Sequence, residues 1–279
     1  MLLLALLVVQ PARAAELAVT APPELESARD RLARIDLDAL AADLSRAGLD
    51  LPAEIHVTLL PDEDQSARTV PDWIVGLALD EREIVIFPER VLPYPYDSLE
   101  SVFRHEAVHL ALNVRANGQP LPRWLHEGLA MSVDTGWGAG SQLRLLLGAL
   151  GRPRPADLAR LFASGGRGET ADAYGLSAAL VADLQRRHGE GAPAAIAGRV
   201  GTGVPFAQAF ELEIGETPDA AAARAWAGYR RVAAWVPTLT SATALWAGIL
   251  VLAFVAFLVR ARQRALRRQQ WDEEDFTVH

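Results

Sequence analysis

The chain has 279 residues and a formal net charge of −8, from 27 basic and 35 acidic side chains. This balance argues against a general nucleic-acid binder, because phosphate contacts need cations that are clustered on one folded face. The chain contains no cysteine, so disulfide bonds are excluded. We therefore expect a globular protein that works without nucleic acid and without disulfides.

The first 14 residues have the pattern of a secretory signal peptide. An apolar run over residues 1–9 precedes Ala12-Arg13-Ala14, which fits a small-x-small cleavage site. Only the amino terminus supplies positive charge ahead of the run, so an uncleaved anchor or a misplaced start codon are alternatives. We predict a signal peptide over 1–14 and a folded domain over 15–236.

The first part of that domain has the pattern of a helix followed by strands. Apolar residues recur at helical spacing over 24–47, and Gly48 closes the segment. Residues 54–60 alternate between apolar and polar, as a half-buried strand does. Residues 73–79 and 83–87 are two further strand candidates, which together predict a β-hairpin.

The segment His-Glu-Ala-Val-His that follows is the most informative in the chain. On a helix, His105 and His109 lie one turn apart on the same face, where two imidazoles can bind one zinc ion. Glu106 then projects toward a water at the metal, as in zinc hydrolases. Apolar residues at helical spacing surround the motif, and Asp97 with Glu100 resembles a capping box at the start of the helix.

A second helix is predicted shortly after the first. Asn117-Gly118 stops the first helix, and the next one begins at Pro122 or Arg123. Its first turns carry Glu127, which brings a carboxylate back toward the histidine pair. Two histidines, one glutamate and a water leave zinc with the open position that catalysis requires.

The rest of the chain has the pattern of helices, at 141–150, 155–163, 171–188, 205–213 and 218–235. Residues 238–259 contain no charged side chain, and at about 1.5 Å per residue they span about 33 Å, enough to cross a bilayer. Arginines follow at once, which indicates a cytoplasmic end. We therefore predict a single-pass type I protein of the cell membrane, with an extracytoplasmic domain, a transmembrane helix over 238–259 and a cytoplasmic basic and acidic tail over 260–279.

These segments resemble the gluzincin group of the MA-type metallopeptidases, and within it the small bacterial membrane-anchored peptidase MA-like proteins. The resemblance rests on HEAVH at 105–109, PRWLHEGLA at 122–130 and AYGLSAALVADLQRRHG at 173–189. It covers residues from about 50 to 235. Seventeen residues separate His109 from Glu127, one fewer than in related aminopeptidases, so aminopeptidase specificity is not implied.

The resemblance implies a zincin-like α+β fold, in which a small sheet and an active-site helix precede a helical C-terminal part. It implies Zn2+ as the cofactor, with His105, His109 and Glu127 as ligands and Glu106 as the general base. Similar enzymes use a tyrosine downstream of the glutamate ligand to stabilise the oxyanion, and Tyr174 is the candidate here. A Tyr174 that merely packs is the alternative.

The other candidates near the site are weaker. His126 adjoins Glu127 but points about 100° away on a helix, so we expect it to pack or to support a ligand. Asp134 is a candidate to orient a zinc-bound histidine, although an exposed loop position is commoner for such a residue. We expect His56 on a strand surface and His188 at a helix end, where a cation suits the helix dipole.

Two functions are consistent with these features. The first is a membrane-anchored zinc endopeptidase that hydrolyses peptides or proteins of the cell envelope. The second is a non-catalytic protein of the same fold that binds partners or acts in envelope assembly. Glu106 favours the enzyme, because a structural zinc site needs no general base and normally closes its fourth position with another side chain.

Overall fold

The structure is a computed structural model, and the residues that it describes are 15–91, 98–133, 154–163, 167–239, 246, 249–250, 252–260 and 262. The chain divides into two compact units, Met1–Ala227 and Gly228–His279. The first unit is α+β, with a small mixed sheet near its N-terminal end and helices after it. The predicted signal peptide, the predicted helix over 141–150, Asp134 and residues 263–279 lie outside the described residues.

The described sheet consists of β1 (Glu16–Thr20), β2 (Glu54–Leu59), β3 (Gly76–Ala78) and β4 (Glu83–Ile86). The strand order is β1-β2-β4-β3. The strands β1, β2 and β4 are parallel, and β3 is antiparallel to β4 with Leu77 opposite Val85. The predicted hairpin is therefore confirmed, although its first strand is shorter than residues 73–79, and β3 lies at an edge of the sheet.

The helices of the described residues are α1 (Glu26–Leu32), α2 (Leu37–Arg46), α3 (Leu99–Arg115), α4 (Arg123–Val133), α5 (Pro155–Ala163), α6 (Arg167–His188), α7 (Ala192–Gly201), α8 (Phe206–Ile214) and α9 (Pro218–Leu239). The predicted single helix over 24–47 is wrong, because Asp36 caps a second helix by accepting a 2.9 Å hydrogen bond from the backbone of Ala39. The helices predicted at 155–163, 171–188, 205–213 and 218–235 are confirmed with small changes of their ends.

Helix α3, which carries the histidine motif, is buried along most of its length and packs against β3, β4 and α4. Its N-cap is Ser98, whose hydroxyl accepts a 3.1 Å hydrogen bond from the backbone of Ser101. The predicted capping residue Asp97 lies outside the described residues. Asn117 and Gly118 adopt positive φ angles of 50° and 68°, so the chain leaves the helix where we predicted.

Helices α4 and α6 approach each other closely at a glycine. A Cβ atom on Gly128 would lie 2.5 Å from the carbonyl oxygen of Ser177 and 2.6 Å from Cγ2 of Val181. Only glycine fits between these backbones. The contact packs the middle of α6 against α4, the helix that carries Glu127.

The prediction of a transmembrane helix over 238–259 is wrong. Among the described residues, no helix combines the length and the apolar character needed to cross a membrane. The predicted single-pass type I localisation depended on that helix and is corrected with it.

Candidate metal centre

Helices α3 and α4 bring three of the predicted side chains together. Nε2 of His105 lies 3.2 Å from Oε2 of Glu127, and Nε2 of His109 lies 3.5 Å from the same oxygen. The ligand atoms of all three side chains fall within 4.8 Å of one another. The group is buried, since the side chains of His105 and Glu127 are only 1% and 8% exposed. These three residues could therefore hold a metal ion between two helices.

Two of the three separations between the ligand atoms fit a tetrahedral ion. Two atoms that each bind zinc at about 2.0–2.1 Å with tetrahedral angles lie about 3.3 Å apart. The two nitrogen-to-oxygen distances, 3.2 and 3.5 Å, are close to that separation.

The carboxyl group of Glu127 is held in its charged form. Burial alone would raise its pKa, but hydrogen bonds to His105 and His109 outweigh burial and hold the pKa well below its ordinary value. The other oxygen of Glu127, Oε1, accepts a 3.0 Å hydrogen bond from Nε of Arg123. The two oxygens thus have different partners, because Oε2 faces the histidines and Oε1 faces the arginine.

Glu106 lies on the same helix as the histidines and contacts the edge strand β3. The backbone N–H of Ala78 donates a 3.1 Å hydrogen bond to Oε2 of Glu106. A Cβ atom on Gly76 would lie 2.8 Å from both Cγ and Oε1 of Glu106, so glycine leaves the room that this carboxyl group occupies. Burial raises the pKa of Glu106 to about 7, against the opposing charge of His109. A pKa near 7 suits a group that accepts and releases a proton near neutral pH.

Tyr174 lies on α6, beside His105 and in the same cavity as the candidate ligands. Its ring centroid is 6.4 Å from that of His105 and 5.4 Å from that of Phe162. Burial alone would lower the pKa of the Arg123 guanidinium, but interactions with Glu127 and with Tyr174, including a hydrogen bond to each, raise it. Arg123 therefore connects Tyr174 to the candidate ligand Glu127.

A cavity of about 720 Å³ opens onto these side chains. It is lined by residues 73–78, by side chains of α3 and α4, and by the N-terminal part of α6. The volume lies within the roughly 300–1,000 Å³ that is usual for ligand sites. His105, Glu106, His109, Glu127 and Tyr174 all line this one cavity, so the structure brings every predicted site residue to a single place.

The remaining candidates do not join the ligand group. His126 lines the cavity, with its ring centroid 5.4 Å from that of His109. Burial lowers the pKa of His126 to about 4, so its imidazole is neutral near pH 7. His56 is exposed on β2 and His188 is the last residue of α6, as the sequence indicates for each.

The sequence did not predict two arginines of the cavity. Arg123 and Glu127 are four residues apart on one helix, a spacing that indicates an ion pair and was available in the sequence. Arg90 is buried and donates hydrogen bonds to the carbonyl oxygens of Ala67, Pro71 and Ile74, which fix the loop that leads into β3. No local pattern reveals Arg90, because these partners are 16 to 23 residues away along the chain.

Comparison with known proteins does not assign the chain to a family. No family model matches it, and no curated protein or solved structure gives a significant match. What defines the class of site is therefore the geometry: a buried His-His-Glu group that could hold a metal ion, with a second glutamate in the same cavity.

Proposed function

We propose that the protein is a zinc-dependent peptidase of the gluzincin type, which hydrolyses peptide bonds in peptide or protein substrates. Two imidazoles and one carboxylate are a common ligand set of catalytic zinc, and the three ligands leave a position open. A zinc ion at this group supplies a Lewis acid and a water that is acidic enough to attack near neutral pH. The remaining chemistry belongs to side chains of the cavity.

The observation that carries the proposal is the position of Glu106. This carboxyl group does not join the ligand group, yet it lines the same cavity and is fixed by the backbone of Ala78. A metal site that only stabilises the fold does not need a general base, so it does not require a second glutamate beside its ligands. Glu106 is the proposed group that accepts a proton from the attacking water and delivers it to the leaving amine.

Tyr174 is the proposed donor to the oxyanion that forms on the scissile carbonyl. It is 9% exposed, it lines the cavity, and its ring lies next to that of His105. A phenol hydroxyl that is fixed before the reaction stabilises developing negative charge with little reorganisation.

The edge strand β3 is the proposed place for the substrate backbone. Val75 and Leu79 exchange backbone hydrogen bonds with the β4 side, as Phe87 N to Val75 O and Leu79 N to Glu83 O show. In an antiparallel ladder the residues between them, Gly76 and Ala78, turn their backbone groups away from β4, where the N–H of Ala78 bonds Glu106. An extended peptide can therefore add beside β3 through the backbone groups of Gly76 and the carbonyl of Ala78, with its scissile bond close to Glu106.

The test is hydrolysis of an unfolded fluorescent protein substrate by the full chain. We expect cleavage after loading with zinc, loss after chelation, and recovery when zinc is restored. Glu106→Gln should bind zinc but lose about 100-fold or more of the rate, because the proton acceptor is gone. Glu100→Gln, on the first turn of the same helix, is the matched control and should keep full activity.

Two results would contradict the proposal. A zinc-loaded wild-type chain that hydrolyses no substrate would favour the non-catalytic protein that binds partners. Equal activity of Glu106→Gln and the wild type would remove the proposed general base.

A further inference from the structure

We propose that Arg123 is a positioning residue of this site, which fixes the carboxylate of Glu127 so that Oε2 alone faces the metal and which holds Tyr174 beside it. The inference rests on the proposed function, since it concerns how the ligand group stays ready for catalysis. Arg123 itself is not a metal ligand, because its guanidinium remains charged and has only N–H donors.

The division of the Glu127 oxygens is the first observation. Oε2 lies 3.2 and 3.5 Å from the two histidine nitrogens, whereas Oε1 accepts the 3.0 Å hydrogen bond from Arg123. A carboxylate without that bond can rotate and present both oxygens to the ion, which would fill the position that water or substrate needs. The hydrogen bond to Arg123 opposes this rotation.

The guanidinium of Arg123 is itself held in place. Its Cζ atom lies 4.5 Å from the ring centroid of Phe162 and 5.6 Å from that of Trp73. Both contacts are within the range of cation–π attraction. Arg123 also precedes Glu127 by four residues on α4, so the helix fixes the separation of the two backbones. The arginine is therefore a rigid partner for the ligand.

The planar shape of the guanidinium explains why position 123 is occupied by an arginine. It carries five N–H donors in one plane, so it can bond Glu127 and Tyr174 at the same time. A lysine ammonium is a point charge on a flexible stem and lacks this planar fork. We infer that Arg123 links the position of the oxyanion donor to the orientation of the third ligand.

The experiment compares the full-length wild type with Arg123→Met, Arg123→Lys and Arg160→Met. Arg160 is an exposed arginine on α5 that pairs with Asp157, so Arg160→Met controls for the substitution itself. Zinc affinity is measured by competition with a chromogenic chelator, and the visible spectrum of the Co2+-loaded chain reports the number of ligands. Urea unfolding verifies that each variant folds.

We expect Arg123→Met to lose about 10- to 100-fold in zinc affinity, as is typical when a group that supports a ligand is removed. Its Co2+ bands should weaken, because the second oxygen of Glu127 joins the ion and raises the coordination number. Arg123→Lys should regain much of the zinc affinity through one bond to Glu127 but not the turnover, since Tyr174 loses its partner. Arg160→Met should behave as the wild type.

The outcomes separate this inference from the proposed function. A wild type that binds zinc and hydrolyses substrate, together with an Arg123→Met variant of unchanged affinity and Co2+ spectrum, would overturn the inference alone. Full turnover in Arg123→Lys would show that a positive charge is enough at this position, without the planar guanidinium. That result would also overturn the inference. A wild type that binds no zinc would overturn the proposed function, and the inference with it.

Discussion

The backbone N–H of Ala78, on the edge strand β3, donates a 3.1 Å hydrogen bond to Oε2 of Glu106, on the motif helix α3. This bond connects the proposed general base to the strand where the substrate is expected to lie. Gly76 makes it possible, because any side chain there would enter the space of the Glu106 carboxyl group. The sheet and the motif helix thus build the proposed catalytic geometry together.

Gly76→Ala should therefore impair catalysis and spare metal binding. The added Cβ would lie 2.8 Å from Glu106 and push its carboxyl group away, and a displacement of about 1 Å can cost about 100-fold in rate. Measured zinc content should stay at the wild-type level, because the three atoms nearest to a Cβ at Gly76 all belong to Glu106 and not to a ligand. Gly175→Ala is the control, since nothing lies within 4 Å of a Cβ at that glycine. Unchanged turnover in Gly76→Ala would contradict the proposed position of Glu106.

Gly128→Ala should destabilise the fold. The new Cβ would meet the carbonyl oxygen of Ser177 at 2.5 Å, which forces α4 and α6 apart. Such overpacking costs about 1–3 kcal/mol, visible as a lower urea midpoint with an unchanged slope. Gly175→Ala should instead be neutral or slightly stabilising, because alanine favours a helix. A Gly128→Ala midpoint at or above that of the wild type would show that the two helices are not packed so closely.

Asp43→Asn should reduce stability in a pH-dependent way. Asp43 on α2 accepts hydrogen bonds from Arg104 on α3 and from Arg46, and these bonds lower its pKa although burial opposes them. A lowered pKa in the folded state stabilises the protein above the unfolded pKa of about 3.9, and this gain is lost as the pH falls further. We expect a loss of about 0.5–1 kcal/mol at pH 7 and a smaller loss near pH 3.

Urea unfolding at the two pH values measures this difference. Asp30→Asn is the control, because Asp30 is half exposed and pairs only with Arg29 on its own helix among the described residues. The same loss at pH 7 and pH 3 in Asp43→Asn would mean that charge is not the cause.

The parts of the site that depend on helical spacing could be predicted from the sequence. His105 and His109 share a face of α3 because they are one turn apart, and Glu127 follows after a connection too short to carry it far away. The strand β2 could also be predicted, since the alternating residues Ile55 and Val57 are both buried.

The parts that depend on distant packing could not be predicted. Gly76 contacts Glu106 across 30 residues, and nothing local sets the register of the three-residue strand β3 or shows that it lies at an edge. The helical break at Asp36 was missed because apolar residues keep the same periodicity on both sides of it. The transmembrane prediction rested on the uncharged run over 238–259 and the arginines after it, and such a pattern does not establish a helix of the length and apolar character that a membrane span needs.

Glu127 and His126 are neighbours on α4 that should respond differently to substitution. Glu127→Ala should cut zinc affinity severely, because only two imidazoles remain as ligands. His126→Ala should cost no more than about 10- to 100-fold, because its ring lies beside His109 and outside the ligand group. Competition with a chromogenic chelator measures both. A severe loss in His126→Ala alone would replace Glu127 by a third histidine, and equal losses would indicate local unfolding.

The metal content of the full chain, purified without chelators, tests the central claim most directly. We predict about one zinc per chain, lost in His105→Ala and in His109→Ala and kept in Glu106→Gln, because Glu106 lies beside the ligand group and is not part of it. A folded wild-type chain that contains no zinc and takes up none would contradict the account, as would a chain whose zinc survives the loss of both histidines.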